Sequence, residues 1–497
     1  MSDSSQDAHN EQEAPTPLTS KAVSRREFLK VAGIAGAAVG MGAGLGGLLA
    51  ACGEEETTTT TAAQTTTTAA QTTTTAAATT TSVSAEPEMG DEIKMGFVAP
   101  ITGPISLFGV PDKYCADRWR EYSADGIVCG DGKKHPVKIE VADSQSDSNR
   151  AAQVAGDLIN NTQVDIMMVA STPDTVTPVV EQCEASGCPV VSTDCPWQTY
   201  MGPNTEYKWS YHSFFGAEDF FEINWSCYEQ VPSNKVIGAM YDNSADGNFF
   251  SANAPKFMEA KGYSVVMPSN FQQFSEDYTQ QITMFKGEGV ELIMGNMIPP
   301  DFTNFWKQAM QQGLTPKACL VGKAILFPGS VEALGDVANG LLTELWWHRT
   351  FPWVSSLTGE TCAQLADDFE AKTGQQQTAP LLHYVCGEMA FYGLQKATDP
   401  KSKDAVLAAL DTMKLDTIIG PIDFTAPIIA KIGDGPADWP AGPGRKTKNV
   451  YDHGLGGSQW LMQGGKWKFD SVPVDKAAAP YMLDDTLQPI KALPVTA

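Results

Sequence analysis

Histidine and positive charge are scarce in this sequence, and each shortage argues against a class of function. The 497 residues include six histidines, and 34 lysines and arginines stand against 59 aspartates and glutamates. The formal net charge is therefore −25 at pH 7, which favours solubility and repels phosphate backbones and anionic lipid surfaces. We expect no nucleic acid among the partners of this protein.

Catalytic motifs are missing as well. The sequence contains no G-x-S-x-G, no H-E-x-x-H and no phosphate-binding P-loop, and no set of serine, histidine and aspartate stands out. The glycine-rich stretch 454–457 lacks the preceding strand and the following helix that a nucleotide fingerprint requires. We therefore predict that the protein is not an enzyme and carries no cofactor.

The spacing of the ten cysteines does not indicate a metal site. No C-x-x-C occurs, and Cys183, Cys188 and Cys195 have no histidines at zinc spacing, so we predict structural cysteines and no metal ion. Without Cys52, nine cysteines remain. Because this number is odd, at least one thiol is free or paired outside the chain. Cys115 and Cys129 could form a bridge that pins the first helix to the loop after it.

Residues 1–52 have the features of a twin-arginine lipoprotein signal. Arg25 and Arg26 precede a weakly apolar run rich in glycine and alanine over residues 31–51. The run ends in Leu-Ala-Ala-Cys, which resembles the lipobox of bacterial lipoproteins, in which the cysteine becomes the lipidated N-terminus. We predict that a lipid on Cys52 anchors an extracytoplasmic protein to the outer face of the cell membrane. The alternative is a transmembrane anchor.

Residues 53–91 form a tract rich in threonine and alanine. The tract has few charges and no apolar periodicity, so it cannot bury a core, and we predict a disordered linker. Its alanines suggest a helix as the alternative, which the runs of threonine oppose.

The stretch 165–198 carries the clearest local pattern. Residues 166–170 form an apolar run typical of a buried strand, and residues 189–192 form a second strand. Between them, Ser171-Thr172-Pro173 predicts a helix start and Gly187 a helix end. The two hydroxyl residues then lie at the carboxyl edge of a parallel sheet, where hydroxyls and free N–H groups suit a carboxylate. Alternatively, they only cap the helix.

Strands and helices alternate along the rest of the chain. This alternation is typical of a parallel sheet with helices on both faces. Two such runs are joined by a bridge around residues 209–214, so we predict an α/β protein of two doubly wound parallel-sheet lobes that bind a ligand between them. The other predicted strands are 93–99, 137–142, 235–241, 263–267, 291–295, 318–321 and 341–347.

Several short motifs recur in a recognisable order. They are Ile93-Lys94-Met95-Gly96, Ala99-Pro100-Ile101-Thr102-Gly103-Pro104, Phe108-Gly109, Asp143-Ser144-Gln145-Ser146-Asp147, Gly187-Cys188-Pro189-Val190-Val191-Ser192, Asp277-Tyr278 and Gly420-Pro421-Ile422-Asp423-Phe424. Their order resembles that of the type I periplasmic (substrate-binding) proteins of branched-chain amino acid ABC transporters, the leucine/isoleucine/valine-binding group. The resemblance covers roughly residues 92–472 and rests on the order of the motifs rather than on any one of them.

The resemblance implies a two-lobed Venus flytrap with three hinge strands. Lobe one would contain residues 92–210 and 351–424, and lobe two residues 211–350 and 425–497. It implies a monomer that captures a small organic solute, an amino acid or related carboxylate, and delivers it to the permease subunits of an ABC importer. The alternatives are a sensory ligand-binding receptor of the same fold and, in third place, an extracytoplasmic enzyme.

The resemblance also implies which residues contact the solute. Two hydroxyl residues would hold an α-carboxylate, two aromatic residues would form apolar walls, and the others lie in loops. Trp197 could instead be a packed aromatic, and Asp246 a turn former. The implied residues are Phe108, Ser171, Thr172, Thr193, Asp194 and Trp197 in lobe one, and Asn243, Asp246 and Asn296 in lobe two.

Lys323 departs from the pattern of the family. Amino-acid binders carry a carboxylate in the loop after the strand 318–321, where it holds the ammonium of the ligand, but here that loop is Gly322-Lys323-Ala324. If Lys323 faces the cleft, it offers a second positive site, and a carboxylate without an α-amine should bind better than the matching amino acid. Alternatively, Lys323 is a solvated surface charge.

Overall fold

The structure is a computed structural model that describes residues 86–201, 206–429, 446–475 and 479–495. The predicted export signal with Cys52 and the linker up to residue 85 lie outside the described residues. Residues 86–91 are described, and the backbone N–H of Gly90 donates to the carbonyl of Lys134 at 2.9 Å. Within the described ranges, no helix combines the length and the apolar character needed to cross a membrane.

The first sheet consists of parallel strands at the centre of one lobe. Within the described residues it has six strands, and each interior strand is buried on both faces by the helices around it. Two of them, Ile93–Ala99 and Ile166–Ala170, have the predicted bounds. In spatial order the strands are Val450–Tyr451, Ser210–Ser213, Val190–Thr193, Ile166–Ala170, Ile93–Ala99 and Val137–Asp143. We call this sheet and its helices the first lobe.

The second sheet forms the core of the second lobe. Within the described residues it has seven strands, parallel except for a hairpin at one edge that joins the sheet in antiparallel orientation. Apolar runs such as Leu292–Asn296 and Ala318–Gly322 lie fully buried at its centre. In spatial order the strands are Lys466–Val472, Gly456–Gln463, Leu342–Leu345, Ala318–Gly322, Leu292–Asn296, Val236–Tyr241 and Ser264–Val266.

Helices cover both sheets, and short hairpins lie at the periphery. The first lobe contains the helices Asp112–Tyr122, Ser148–Asp157, Pro173–Ser186, Trp197–Met201, Cys362–Thr373, Tyr384–Lys396 and Lys403–Leu410. The second lobe contains Ala217–Tyr228, Ala245–Ala260, Thr279–Gly287, Pro299–Gln311 and Pro328–Leu334. A π-helical turn spans Leu158–Thr162, and 3₁₀ turns span Gly335–Ala338, Ala379–His383 and Asp484–Thr486. The small hairpins pair Ile127–Val128 with Lys134–His135, Lys414–Thr417 with Gly420–Asp423, and Ile428–Ile429 with Lys446–Thr447.

Two parts of the predicted lobe division need correction. We expected residues 425–497 to belong wholly to lobe two, but the strand Val450–Tyr451 pairs with Ser210–Ser213 in the first sheet. The third crossing between the lobes therefore lies between Tyr451 and Gly456, where the second sheet resumes. The strand Ser210–Ser213 also extends the first lobe beyond its predicted boundary at residue 210. The other boundaries stay a prediction.

The cysteine bridge suggested by the sequence is not formed. Cys115 and Cys129 both carry free, buried thiols. Burial raises the pKa of the Cys115 thiol, and its neighbouring ionisable groups are Asp112 and Cys386 rather than Cys129. Nearness in sequence misled the prediction, because Cys115 lies near Cys386 of the helix Tyr384–Lys396, which packs against its own helix.

Candidate ligand-binding site

Two hydroxyl groups lie buried at the carboxyl edge of the first sheet without a hydrogen-bond partner in the described part of the chain. Ser171 and Thr172 follow the strand Ile166–Ala170 and are 1% and 2% exposed. Thr172 is the N-cap residue of the following helix, but its carbonyl, not its hydroxyl, accepts the N–H groups of Thr175 and Val176 at 3.0 and 2.9 Å. The side chains therefore do not act as caps, and their hydroxyls are available to a ligand.

The neighbouring strand ends in Thr193 and Asp194, both of which are buried. The Thr193 hydroxyl donates to the Ser213 carbonyl at 2.7 Å, so it supports the fold. Asp194 adopts the left-handed conformation, with φ of 72°. Its Oδ2 is ion-paired with Nε2 of His383, whereas its Oδ1 is buried with no hydrogen-bond partner among the described residues. Nδ1 of His383 donates to Oδ1 of Asp112 at 2.6 Å.

The two carboxylates of this buried trio both favour a positive charge on His383. Burial disfavours a charged imidazole, but Asp194 and Asp112 outweigh burial and raise the pKa of His383 to about 10. Burial raises the pKa of Asp194 to about 6, although His383 acts in the opposite direction. At neutral pH, His383 is therefore a buried cation paired with Asp194.

Aromatic rings from the two lobes pack against one another. Phe108 of the first lobe packs edge-on against Phe327 of the second, with centroids 4.9 Å apart, and lies 6.0 Å from Trp346. Trp346 in turn contacts Phe214, which follows the strand that leaves the first lobe, at 5.0 Å. Trp197 is 1% exposed, and its indole N–H has no partner in the described ranges. Its burial fits a packed aromatic, and its N–H group is free to donate.

In the second lobe, Lys323 lies at the matching position of the second sheet. It directly follows the strand Ala318–Gly322, adopts the left-handed conformation with φ of 64° and is 4% exposed. Its ammonium is ion-paired with the buried carboxylate of Asp246, and its backbone N–H donates to Oε1 of Glu344 at 2.7 Å. Burial opposes the charge, but Asp246 and two further aspartates raise the pKa of Lys323 above its ordinary value. Lys323 is thus no solvated surface charge.

The other second-lobe residues divide between the cleft and the periphery. Asn296 ends the strand Leu292–Asn296 and is buried, and its Oδ1 has no partner in the described part of the chain. Asn243 is exposed and bonds to the neighbouring loop, with its Nδ2 3.0 Å from Oε1 of Gln272. Asp242 forms a turn with Ser244, whose N–H donates to its carboxylate at 3.0 Å. The structure therefore does not bring Asn243 to the other predicted residues.

A family model described as periplasmic binding protein matches residues 92–432, more than half of the chain. The chain belongs to the periplasmic binding protein family. Its resemblance to this family is thereby confirmed, as are the α/β fold of two parallel-sheet lobes and a non-enzymatic class of relatives. Family membership also implies a location outside the cytoplasm.

Three similar proteins illustrate the range of this family. The "Leu/Ile/Val-binding protein homolog 8" of Brucella abortus (strain 2308) is 21% identical over 335 residues, which cover 65% of this chain and 81% of the relative. The branched-chain amino acid transporter substrate binding protein LivJ of Streptococcus pneumoniae, solved with isoleucine, has a TM-score of 0.58 and 18% identity, and covers 77% of this chain and 99% of its own. A solute binding protein of an ABC transporter from Rhodopseudomonas palustris BisB5 was solved with 3,4-dihydroxybenzoic acid. It has a TM-score of 0.59 and 15% identity, and the match covers 76% of this chain and 96% of that protein.

Sequence reasoning missed two residues of this periplasmic binding protein that bear on the site. Asp174 lies in the first turn of its helix, mostly buried, and burial raises its pKa although nearby Lys323 of the other lobe acts against this. Its position directly after Thr172-Pro173, in the first turn of the predicted helix, could have identified it as a residue near the site. His383 gave no such signal, because it is 189 residues away from Asp194 along the chain.

Proposed function

We propose that this periplasmic binding protein captures a small organic solute, an amino acid or related carboxylate, between its lobes and delivers it to the permease of an ABC importer. The observation that carries the proposal is the pair of buried, unpartnered hydroxyls of Ser171 and Thr172 at the start of a helix. Buried polar groups are normally hydrogen-bonded, so two orphans on adjacent residues at the edge of a sheet favour a ligand contact.

A carboxylate suits this position for electrostatic reasons. The helix Pro173–Ser186 has 14 residues, and its first N–H groups carry the positive end of the helix dipole. Each hydroxyl can donate one charge-assisted hydrogen bond to a carboxylate oxygen. The solutes named for the Streptococcus and Rhodopseudomonas proteins, isoleucine and 3,4-dihydroxybenzoic acid, both carry a carboxyl group.

The rest of the cleft favours a solute that also carries an amine. The free Oδ1 of Asp194 can accept from an ammonium. Across the cleft, three aspartates lie near Lys323, so the acidic groups of that cluster outnumber its one cation. The preference for acids without an amine that the sequence suggested required a free charge on Lys323, and that charge is paired with Asp246. The aromatic rings between the lobes would enclose the apolar body of the solute.

Thermal-shift titration of the full chain with three matched probes tests this assignment. Leucine should stabilise the protein, 4-methylpentanoate, which lacks the amine, should stabilise it less, and isopentylamine, which lacks the carboxylate, should not stabilise it. A solute at 100 times its Kd adds about 2.7 kcal/mol to the free energy of unfolding. Ser171→Ala with Thr172→Val should abolish the response, whereas the exposed Ser269→Ala should retain it. A response to the amine alone would contradict the proposal.

Anchoring is a separate part of the proposal and rests on Arg25, Arg26 and the lipobox before Cys52. A diacylated cysteine would hold the monomeric protein on the outer face of the membrane, close to the permease. Cys52→Ala should release the protein from the membrane fraction or leave the signal uncleaved. A variant that fractionates and migrates like the parent would show that the lipid is not the anchor.

A further inference from the structure

Cys183 and Cys188 occupy two positions that a helix end brings together. The helix Pro173–Ser186 is followed by Gly187 in the left-handed conformation, with φ of 63°. The N–H of Cys188 donates to the carbonyl of Cys183 at 2.9 Å, and the N–H of Gly187 to that of Glu184 at 3.5 Å. These two bonds define a Schellman motif, in which the side chains at the positions of Cys183 and Cys188 commonly touch.

Both thiols are fully buried beside this turn. Each residue is 0% exposed, while the turn between them is partly open to solvent. The nearby Cys183 thiol lowers the pKa of Cys188, whereas burial and the nearby Cys188 thiol raise the pKa of Cys183. The Cys188 thiol donates to the carbonyl of Pro189 at 3.7 Å. In the structure both are free thiols.

We propose that Cys183 and Cys188 form a disulfide in the exported protein. The proposal rests on the extracytoplasmic location that the proposed function requires, since disulfides persist in oxidising compartments. The two thiols lose two protons and two electrons, and one S–S bond forms. The electrons pass to a disulfide-bearing oxidoreductase outside the cytoplasm, which is reduced to two thiols.

The bond would brace the part of the first lobe that holds the proposed site. The helix that ends at Cys183 begins next to Ser171 and Thr172. The strand Val190–Thr193, which starts just after Cys188, leads directly to Asp194. A disulfide between the end of this helix and the start of this strand therefore fixes the two elements to each other at one end. Their opposite ends carry Ser171, Thr172 and Asp194.

Peptide mapping of the full chain exported in a bacterial host tests the bond. Free thiols are blocked with iodoacetamide in denaturant, and the chain is cleaved after glutamate. Glu184 lies between the two cysteines, so a disulfide keeps the fragment that contains Cys183 attached to the fragment that contains Cys188 until reductant is added. Alkylation of both cysteines, with two separate fragments, would overturn the proposal. This readout does not depend on solute binding, so failure of the proposed function leaves it interpretable.

Reductant sensitivity gives a second measurement. Dithiothreitol should lower the Tm of the parent by about 3 °C, as expected for loss of a short disulfide loop in a large domain. Cys183→Ser and Cys188→Ser should have this lower Tm without dithiothreitol and should not respond to it. Cys319→Ser, at a buried cysteine of the second sheet, serves as the matched control and should keep the response. Equal Tm values for the parent and for both serine variants, all without dithiothreitol, would contradict the bond.

Discussion

Asp194 in the first lobe and Lys323 in the second occupy corresponding positions but differ in how their charges are satisfied. Each directly follows a parallel strand, adopts the left-handed conformation and is almost completely buried. Asp194 is an acid paired with the cation His383, and Lys323 is a cation paired with the acid Asp246. Non-glycine residues seldom adopt this conformation, and such strain is concentrated at functional sites.

The two clusters differ in where their acids come from. His383 lies between Asp112 and Asp194, and all three belong to the first lobe. Lys323 lies near aspartates of its own lobe and near Asp174 of the first lobe. Opening of the lobes would therefore leave the His383 cluster intact and remove one acid from the Lys323 cluster. We infer that the first cluster maintains the shape of a lobe, whereas the second responds to closure.

Alkaline pH should weaken the His383 cluster and provides the largest expected effect. The pKa of His383 in the folded protein, about 10, lies above its unfolded value of about 6.5. Its stabilising contribution is therefore complete below pH 6.5 and is lost as the pH rises through 10, with an upper limit of about 5 kcal/mol. Urea unfolding of the parent and of His383→Gln should show a stability difference that shrinks between pH 7 and pH 10. Parallel pH profiles would contradict the assigned charge.

Removal of the imidazole at neutral pH should come next in size. His383→Ala leaves Asp112 and Asp194 buried without their counter-charge, which costs about 3–5 kcal/mol in the free energy of unfolding. Lys113→Ala breaks an exposed ion pair with Asp117 and should cost less than about 1 kcal/mol. Urea denaturation at pH 7 measures both, and similar losses for the two variants would show that the buried trio is not strongly coupled.

The Lys323 cluster should tolerate double replacement better than single replacement. Lys323→Met leaves Asp246 buried and unpaired, at a cost of about 3 kcal/mol. Lys323→Met combined with Asp246→Leu removes both charges, so much of that loss should be recovered. Thermal unfolding of the parent, of each single variant and of the double variant, all without solute, measures these differences. A double variant less stable than either single variant would mean that the pair contributes more than mutual neutralisation.

The sequence predicted those parts of the molecule that local signals determine. The strand Ile166–Ala170 and the helix from Pro173 to Gly187 follow from apolar runs, proline and glycine, and the structure confirms both. The hydroxyl of Thr172 illustrates the limit of such signals. Its residue type predicts a cap, but the backbone carbonyl already accepts the first helical N–H groups, and the side chain is left free.

Contacts between distant segments could not be predicted in this way. The pairing of His383 with Asp194 depends on a 3₁₀ turn, Ala379–His383, that packs against the helix Asp112–Tyr122. Lys323 was identified as unusual from its loop, but its partner depended on how the helix Ala245–Ala260 sits over the second sheet. Buried ion pairs of this kind are set by tertiary packing, for which a single sequence carries no periodic signal.

Asp174 allows the smallest and most selective test, because it is the first-lobe acid that approaches Lys323. In the present arrangement, the helix Pro173–Ser186 contacts the helix Ala245–Ala260 across the cleft, and burial raises the pKa of Asp174. Asp174→Asn removes one attraction between the lobes while each lobe keeps its own ion pairs. The free energy of unfolding should therefore change by less than about 1 kcal/mol, while the lobes open more readily. Small-angle scattering without solute should then give a larger radius of gyration than for the parent or for the exposed first-lobe control Asp404→Asn. An unchanged radius would show that Asp174 does not help to hold the lobes together.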